Sequence, residues 1–368
     1  MLRVGWSLIV VATLFVVIAS RVHVDYYTEA PGDAVAVQPL VSIDGAPSYE
    51  SDGNFMLLFI RRGDRINLLR YIQASIDPDV DVKKADYSQP GQSPADLDAL
   101  SANDMAQAQL AARKLALERI GESVEILDGM QVTSVVAGRP ASEVLAPGDV
   151  ILAVNGRAVG PGDENNVIST VIGALQPGET VSLRYERDGE TRTVDIDTAD
   201  NGSGRAIIGV LMEPNARYPF DIDFEGRIES IGGPSAGLAM TLALLDELTP
   251  GELTGGTNVA VTGAIDIDGE VHEVGRVDLK AKAAKRRDAT LMLVPECSEP
   301  EPRDTYETEA HYRAAVDFHE SCEAEVRRAR DAIDTVIEVA TLDDALAALA
   351  AHGGDEIPPV ATTTTVPA

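Results

Sequence analysis

The chain has 368 residues, with 60 acidic and 30 basic side chains and a formal net charge of −30. A polyanion of this kind repels nucleic acid, so no nucleic-acid partner is expected. The length exceeds that of one typical domain, and 45% hydrophobic content with 31 glycines and 20 prolines is ordinary for folded modules joined by turns.

An apolar run lies near the N-terminus. Val4 to Ser20 contains no charged residue and is flanked by Arg3 and Arg21. At ~1.5 Å per residue, a helix of this length just crosses a bilayer core, so residues 1–24 are predicted to form a transmembrane anchor. A cleaved signal peptide is the alternative, with Val17-Ile18-Ala19 as its cleavage site, although the run is longer than the usual apolar region of ~7–15 residues.

Residues 25–121 are predicted to form short strands followed by a long helix. Strand patterns separated by turns fall at Tyr26–Ala34, Val41–Gly45 and Phe55–Ile60. From Ser93 to Gly121 the apolar residues recur at helical spacing. The strands are candidates for the first part of a fold that resumes after residue 200, with the intervening module inserted into it.

Residues 122–200 contain a β-rich module. Its diagnostic strings are Asp128–Val135, Gly138–Ala141 and Leu145–Gly156. Pro147-Gly148-Asp149 turns the chain into a strand, and Asn155-Gly156 closes a hairpin. The strings resemble a PDZ domain of the type found in bacterial envelope proteases, which implies a small β-sandwich or barrel-like fold.

The PDZ resemblance implies recognition of an extended peptide by strand addition. The backbone N–H groups around Gly129, Met130, Gln131 and Val132 would then receive the terminal carboxylate. The expected partners are protein or peptide substrates with exposed ends. The alternative is a groove that the protein itself occupies, or one that acts only as a gate.

Ser235 is the candidate nucleophile. It lies among the small residues Gly233, Pro234 and Ala236, directly before an apolar, helix-forming stretch that continues through Leu245. Its hydroxyl should therefore emerge at a helix N-terminus, beside free backbone N–H groups that could hold an oxyanion.

A nucleophilic serine needs a base, and Lys280 is the candidate. The neighbouring side chains of Val277, Leu279 and Ala281 can shield its amine from water. Burial would lower the pKa of this lysine from its ordinary value of ~10.4, so that the neutral amine can take the serine proton.

Four segments together resemble the proteolytic domain of the Lon family, in the family's order. They are Ile231–Met240, Asn258–Ile265, Gly275–Ala284 and Leu291–Pro295. The resemblance implies an α/β proteolytic domain over residues 201–350. It also implies that Ser235 is the nucleophile, that Lys280 is the general base, and that the Thr262 hydroxyl orients the lysine amine.

Two positions depart from the pattern of the ATP-dependent Lon enzymes. Gly232 stands where those enzymes often have aspartate, which looks like the membrane-anchored, PDZ-containing branch of the family. Arg276 replaces the second glycine of the turn before the lysine and could narrow the pocket. The sequence also contains no Gly-x-x-x-x-Gly-Lys-Ser/Thr phosphate loop, so its proteolysis is expected to need no ATP.

The two cysteines of the chain, Cys297 and Cys322, are expected to form a disulfide if this part lies outside the cytoplasm. A zinc site that adds His311 and His319 is a weaker alternative, because the spacing follows no short zinc motif. No metal or other cofactor is expected. His272 offers an alternative Ser-His-Asp arrangement with the serine, although a turn role in its hairpin is the simpler interpretation.

The sequence therefore predicts a multi-domain protein of mixed α/β and α+β class, ending in a disordered tail over residues 351–368. The predicted function is that of a membrane-anchored, ATP-independent serine endopeptidase with a Ser-Lys dyad. The family resemblance places the bulk of the chain outside the cytoplasm and implies homo-oligomers, often hexamers. The alternative is a catalytically silent PDZ scaffold or a chaperone-like assembly protein of the cell envelope.

Overall fold

A computed structural model describes residues 13–357, apart from residue 15 and the segments 64–65, 85–93, 164–165, 203 and 225–232. Most of the predicted membrane span, the departure at Gly232 and residues 358–368 of the predicted tail lie outside the described residues. Within the described part, no helix is both long and apolar enough to cross a membrane.

The described chain is a mixed α/β structure. Its helices are α1 (Leu68–Ser75), α2 (Pro94–Arg119), α3 (Val167–Gly173), α4 (Gly237–Leu248), α5 (Val277–Lys285), α6 (Glu309–Arg330) and α7 (Leu342–Ala351). Its strands are β1 (Tyr26–Ala36), β2 (Val41–Asp44), β3 (Asn54–Gly63), β4 (Asp81–Lys84), β5 (Glu125–Val135), β6 (Val150–Val154), β7 (Arg157–Ala158), β8 (Thr180–Arg187), β9 (Glu190–Asp197), β10 (Ala199–Asp200), β11 (Ala206–Ile207), β12 (Val210–Arg217), β13 (Asp221–Phe224), β14 (Asn258–Val261), β15 (Ala264–Ile265), β16 (Val271–His272), β17 (Leu291–Pro295) and β18 (Thr335–Val339).

A six-stranded sheet joins the two ends of the described chain. Its strand order is β18-β17-β14-β3-β1-β4, with β3, β14, β17 and β18 parallel and β1 antiparallel to both β3 and β4. Strands before the PDZ-like module therefore share one sheet with strands after it. The module is an insertion into this α/β fold.

Both faces of this sheet are covered, and strand β3 shows why. Phe55 and Leu57 contact the core that contains α2 and α4, whereas Met56 and Leu58 contact the core that contains α5 and part of α6. This alternation is the period of two that a strand imposes on its side chains. Helix α4 is buried along nearly its whole length, which explains its apolar composition.

The second sheet forms the inserted module. Its order is β12-β5-β6-β8-β9, all antiparallel, with β7 paired to β6. Its own apolar core includes Val132, Ile151, Leu183 and Ile208. Strand β12 lies beyond the predicted domain limit at residue 200, and it nevertheless completes this sheet by pairing with β5.

Helix α2 contacts both parts of the structure. Its apolar side chains pack with α4, and Gln107 Nε2 donates a 3.1 Å hydrogen bond to the Met212 carbonyl of β12. Arg113 Nε donates a 2.9 Å hydrogen bond to the Ile222 carbonyl of β13. This helix therefore connects the inserted sheet with the core of the α/β fold.

Cys297 and Cys322 form a disulfide, with their Cα atoms 5.8 Å apart. The bond ties α6 to the segment that follows β17. Helix α6 packs beside α5, the helix that carries Lys280.

Candidate active site

Ser235 lies in a short 3-10 turn, Pro234–Ala236, that leads directly into α4. Gly233, which precedes the turn, has φ +96°, a left-handed value that only glycine adopts readily. The Ser235 carbonyl accepts a 3.1 Å hydrogen bond from Gly263 N. The serine is therefore held against the segment that follows β14.

Lys280 lies on α5, with its amine directed at Thr262. Lys280 Nζ donates a 3.0 Å hydrogen bond to Thr262 Oγ1, and Thr262 Oγ1 lies 3.5 Å from the Ser235 carbonyl oxygen. Thr262 is fully buried and follows β14 directly. The structure thus brings together the three residues that the sequence predicts as nucleophile, base and orienting hydroxyl.

The environment of Lys280 suits a general base. Burial lowers the pKa of its amine to about 8, and the nearby Glu325 carboxylate works in the opposite direction. A substantial fraction of the amine is therefore neutral at mildly alkaline pH. Val277, Ala281 and Ala284 of the same helix are buried in the core between α5 and the sheet.

The link between Lys280 and Ser235 runs through Thr262. Among the described residues, no hydrogen bond joins the Ser235 hydroxyl directly to Lys280 Nζ, and both residues instead contact the threonine hydroxyl. The segment 225–232, which precedes Gly233, is outside the described residues.

Arg276 pairs with buried and half-buried carboxylates, a role that the sequence did not predict. It is the N-cap of α5 with φ +64°, and its side chain is buried against carboxylates. The guanidinium pairs with Glu29 of β1 and Asp81 of β4, and lies 3.4 Å from Asp278. The arginine therefore binds the start of the Lys280 helix to the N-terminal strands.

Glu325 of α6 completes this charged cluster. It accepts a 3.0 Å hydrogen bond from Val277 N at the first turn of α5, and lies 3.8 Å from Arg276. Arg328, also on α6, donates a 2.9 Å hydrogen bond to Asp278. Sequence reasoning missed Glu29, Asp81 and Glu325, because they lie on three elements that are far from Arg276 in the chain.

The alternative catalytic and metal residues lie elsewhere. His272 is exposed and contacts Asp266 at 2.8 Å within its own hairpin. His311 is exposed on α6, and His319 contacts the Ser298 carbonyl at 3.0 Å. Both cysteines are used in the disulfide, so these residues do not form the zinc site considered above.

The predicted carboxylate site at Gly129–Val132 is not available for strand addition. Gly129 N donates to the Val159 carbonyl and Val132 N donates to the Asp149 carbonyl. Met130 and Gln131 face β6 on one side and β12 on the other. Because β5 is a central strand with both edges paired, a peptide cannot join the sheet here.

A groove suited to a peptide lies instead between the edge strand β12 and helix α3. It encloses about 600 Å³, and apolar side chains of both elements line it, among them Ile168, Ile172 and Leu211. At its rim, Gly209 has φ +80°, and a Cβ at this position would lie 2.2 Å from Arg139 Cβ. Only glycine fits there. The sequence string around Gly209 was the signal that could have located this groove.

Two family models match the chain. Residues 106–198 match the PDZ domain, and residues 225–326 match the Lon protease (S16) C-terminal proteolytic domain. The chain contains a PDZ domain and a Lon-type proteolytic domain. The second match covers Ser235, Thr262 and Lys280 and supports a serine peptidase.

Curated relatives of the chain are Lon proteases. The Lon protease of Desulfosudis oleivorans is 27% identical over 221 residues, which cover 57% of this chain and 26% of that protein. Lon protease 2 of Bacillus subtilis is 36% identical over 98 residues, or 26% of this chain and 17% of that protein. The chain thus spans about a quarter or less of the length of these two relatives.

Similar solved structures include PDZ domains of SdrC-like proteins from two Listeria species. The one from Listeria monocytogenes is 29% identical and covers 23% of this chain and 87% of that chain, with a TM-score of 0.21. The one from Listeria innocua is also 29% identical and covers 23% of this chain and 93% of that chain, with the same TM-score.

Proposed function

We propose that this protein is an ATP-independent serine endopeptidase that uses Ser235 and Lys280 as a catalytic dyad. The observation that carries the proposal is the buried Lys280 amine, hydrogen-bonded to Thr262 beside the turn that holds Ser235. The match of residues 225–326 to the Lon proteolytic domain supports the same reaction class. The given sequence contains no phosphate-loop motif, which supports cleavage without ATP.

In the proposed mechanism, the neutral amine of Lys280 takes the proton of Ser235 as Oγ attacks the scissile carbonyl carbon. The Thr262 hydroxyl fixes the amine, and the serine hydroxyl turns toward Nζ when substrate is bound. The oxyanion lies near the N-terminus of α4, whose dipole favours negative charge. Lys280 then gives its proton to the leaving amine, and water hydrolyses the acyl-enzyme.

The PDZ domain would hold substrate in the groove between β12 and α3. In this proposal the peptide pairs with the outer edge of β12 at Val210 and Leu211, before the Met212 carbonyl that Gln107 occupies, and places apolar side chains against α3. The groove is largely apolar, so hydrophobic peptide ends are the expected ligands.

Anchoring, location and assembly are further parts of the proposal. The apolar run of residues 4–20 supports a single membrane span, and the Cys297–Cys322 disulfide supports an oxidising, extracytoplasmic location for the bulk of the chain. A homo-oligomer, with the hexamer as one candidate, rests on the resemblance to the Lon family alone. Light scattering of the purified full chain measures its size.

A catalytically silent PDZ scaffold is the competing function. Arg276 was the one sequence feature in its favour, because a side chain there could have blocked the pocket. The guanidinium is instead engaged by Glu29, Asp81 and Asp278. This pairing removes the one sequence feature that favoured the scaffold.

Mass spectrometry of an unfolded test protein, incubated with the purified full chain without ATP, tests the proposal. Peptides should be produced by the wild type and lost in both Ser235→Ala and Lys280→Ala. Lys282→Ala, which alters the next lysine of α5, and Ser142→Ala, on the PDZ surface, are matched controls and should keep the activity. No cleavage by a folded wild-type sample would favour the scaffold.

A further inference from the structure

We propose that helix α1 and the adjoining end of the sheet that contains β1 and β4 form a second membrane contact, which lies on the surface of a bilayer containing anionic lipid. The proposal rests in part on the proposed anchor, since that anchor would bring this surface to the membrane. It concerns a surface that the catalytic mechanism and the PDZ groove do not use.

Exposed apolar side chains are concentrated at this end of the molecule. Ten large hydrophobic side chains are exposed in the described part of the chain. Five of them lie in residues 14–22, at the end of the proposed anchor, and two lie at α1 beside it. These seven are Leu14, Val16, Val17, Ile18, Val22, Ile72 and Ile76. Clustering of this kind marks an interaction surface, whereas single exposed hydrophobics are ordinary.

The first turn of α1 lies beside the end of the N-terminal helical segment, residues 16–21. Leu68 N donates a 2.8 Å hydrogen bond to the Val22 carbonyl, and Val24 N donates a 3.0 Å hydrogen bond to the Ile66 carbonyl. The base of the apolar segment and the first turn of α1 are therefore held together by the backbone. A membrane that contains the apolar segment therefore lies next to α1.

One face of α1 packs on the sheet and the other is open. Ala74 is buried, and the ring of Tyr71 packs edge-on against Tyr26, with 4.8 Å between ring centroids. Ile72 is 38% exposed and Ile76 is 81% exposed. Their spacing of four residues places these isoleucines on the same side, as in helices that lie in a membrane interface.

Basic and tyrosine side chains surround this apolar face. Arg70 is exposed on α1, and the exposed Lys84 lies opposite Tyr26 in the pairing of β4 with β1. The Arg62 guanidinium lies 4.1 Å from the centre of the Tyr27 ring. Further exposed basic residues at this end are Arg21, Arg61 and Lys83, and the exposed acidic ones are Asp25, Asp77 and Asp81, of which Asp81 pairs with Arg276.

This composition favours a bilayer, and not a second copy of the chain, as the partner of this surface. Lysine, arginine and tyrosine around exposed isoleucines are typical of a membrane interface, where the cations meet lipid phosphates. In a symmetric dimer through this face, the same basic residues would face one another and repel. The excess of basic residues is also local, because the whole chain carries −30.

Tryptophan quenching in lipid nanodiscs tests the proposal with the full chain. Trp6 is the single tryptophan and lies inside the apolar run, so its quenching by brominated lipid reports insertion of the anchor alone. A Trp6→Phe/Ile76→Trp variant then reports docking of α1. In discs with anionic brominated lipid, its fluorescence should fall by about half, the response of a ring at the headgroup–acyl boundary.

Two controls separate this contact from other effects. Trp6→Phe/Ile267→Trp places the probe at an exposed isoleucine of the β15–β16 hairpin and should not be quenched. Adding Arg70→Glu/Lys84→Glu should abolish quenching at position 76, whereas Arg157→Glu/Lys285→Glu, at exposed basic residues elsewhere, should not.

Quenching of Trp6 without quenching at position 76 would overturn the docking proposal and leave the anchor intact. Quenching of neither position would contradict both. A blue-shifted, unquenched emission at position 76 that depends on protein concentration would show a second copy of the chain in place of the bilayer.

Discussion

Lys280 Nζ donates a 3.0 Å hydrogen bond to Thr262 Oγ1, in a pocket where the amine is almost fully shielded from water. Helix α5 supplies the lysine and the end of β14 supplies the threonine. The turn before α4 brings Ser235 to the same point from the other side of the sheet. The site therefore forms where these three elements meet, at the C-terminal end of the parallel strand β14.

The first prediction concerns the pH dependence of cleavage. Lys280 acts as a base only when neutral, and its pKa is about 8, so kcat/KM should rise with pH through an apparent pKa near that value. Glu325→Gln should move this limb to lower pH, because the carboxylate raises the lysine pKa. Glu323→Gln, at an exposed position on the same helix, should leave the profile unchanged. If the apparent pKa of kcat/KM were the same in Glu325→Gln and wild type, Lys280 would be excluded as the titrating group.

The second prediction concerns the stability cost of the buried amine. Lowering a lysine pKa from ~10.4 to about 8 costs on the order of 3 kcal/mol below pH 8, where the buried amine is charged. Lys280→Met should raise the free energy of unfolding by up to that amount at pH 7. The gain should shrink between pH 8 and ~10.4, since the unfolded chain still binds the proton there and the folded chain does not.

Urea unfolding of Lys280→Met and wild type at several pH values measures this difference. Lys282→Met is the control, because Lys282 is partly exposed and pairs with Asp79 at 2.8 Å. It should give no stabilisation. Equal stability of wild type and Lys280→Met at pH 7 would show that the amine is hydrated in solution.

The third prediction concerns Arg276. Arg276→Gln removes the buried cation shared by Glu29, Asp278 and Glu325, so it should destabilise the protein by about 3–5 kcal/mol, the usual effect of breaking a buried pair. Among the described residues, Glu29 then keeps only Lys83, and Asp278 keeps only Arg328. The variant should also move the rise of kcat/KM to higher pH, because Arg276 no longer offsets the Glu325 charge.

Arg287→Gln is the matched control for Arg276. Arg287 pairs with Asp33 at 2.9 Å on the surface, where an ion pair contributes about 1 kcal/mol or less. Chemical denaturation of the two variants side by side distinguishes them. Equal effects would mean that the Arg276 cluster is hydrated and does not position the lysine helix.

The sequence located the three residues of the candidate site better than their surroundings. Ser235, Thr262 and Lys280 lie in strings whose order is visible along the chain, and the structure brings them together. The role of Arg276 was not predictable, because its partners Glu29 and Asp81 are about 200 residues or more away and become neighbours only through sheet pairing. Distance along the chain also explains why the sequence did not predict β12 as the peptide-binding edge strand of the PDZ domain. Strand β12 follows residue 200 and joins the module by pairing with β5, its first strand.

The fourth prediction concerns the Cys297–Cys322 disulfide. The bond closes a loop of 25 residues, and removing such a loop constraint should lower the free energy of unfolding by about 3 kcal/mol. The Cys297→Ala/Cys322→Ala variant should therefore melt earlier than the oxidised wild type. A reducing agent should lower the melting temperature of the wild type and leave that of the variant unchanged. A wild type that does not respond to reduction would contradict the stabilising role.

The fifth prediction concerns the groove between β12 and α3. Ser169 is exposed on α3 and lines the groove, whereas the next residue, Thr170, is exposed and does not. Ser169→Trp should fill the groove and weaken binding of a peptide with a hydrophobic C-terminus by about ten-fold or more, and Thr170→Trp should leave it unchanged. Fluorescence polarisation with a labelled peptide measures both. Cleavage of short peptides should survive in both variants, because the dyad lies in the other domain. Equal affinity of Ser169→Trp and Thr170→Trp for the peptide would place the binding site elsewhere.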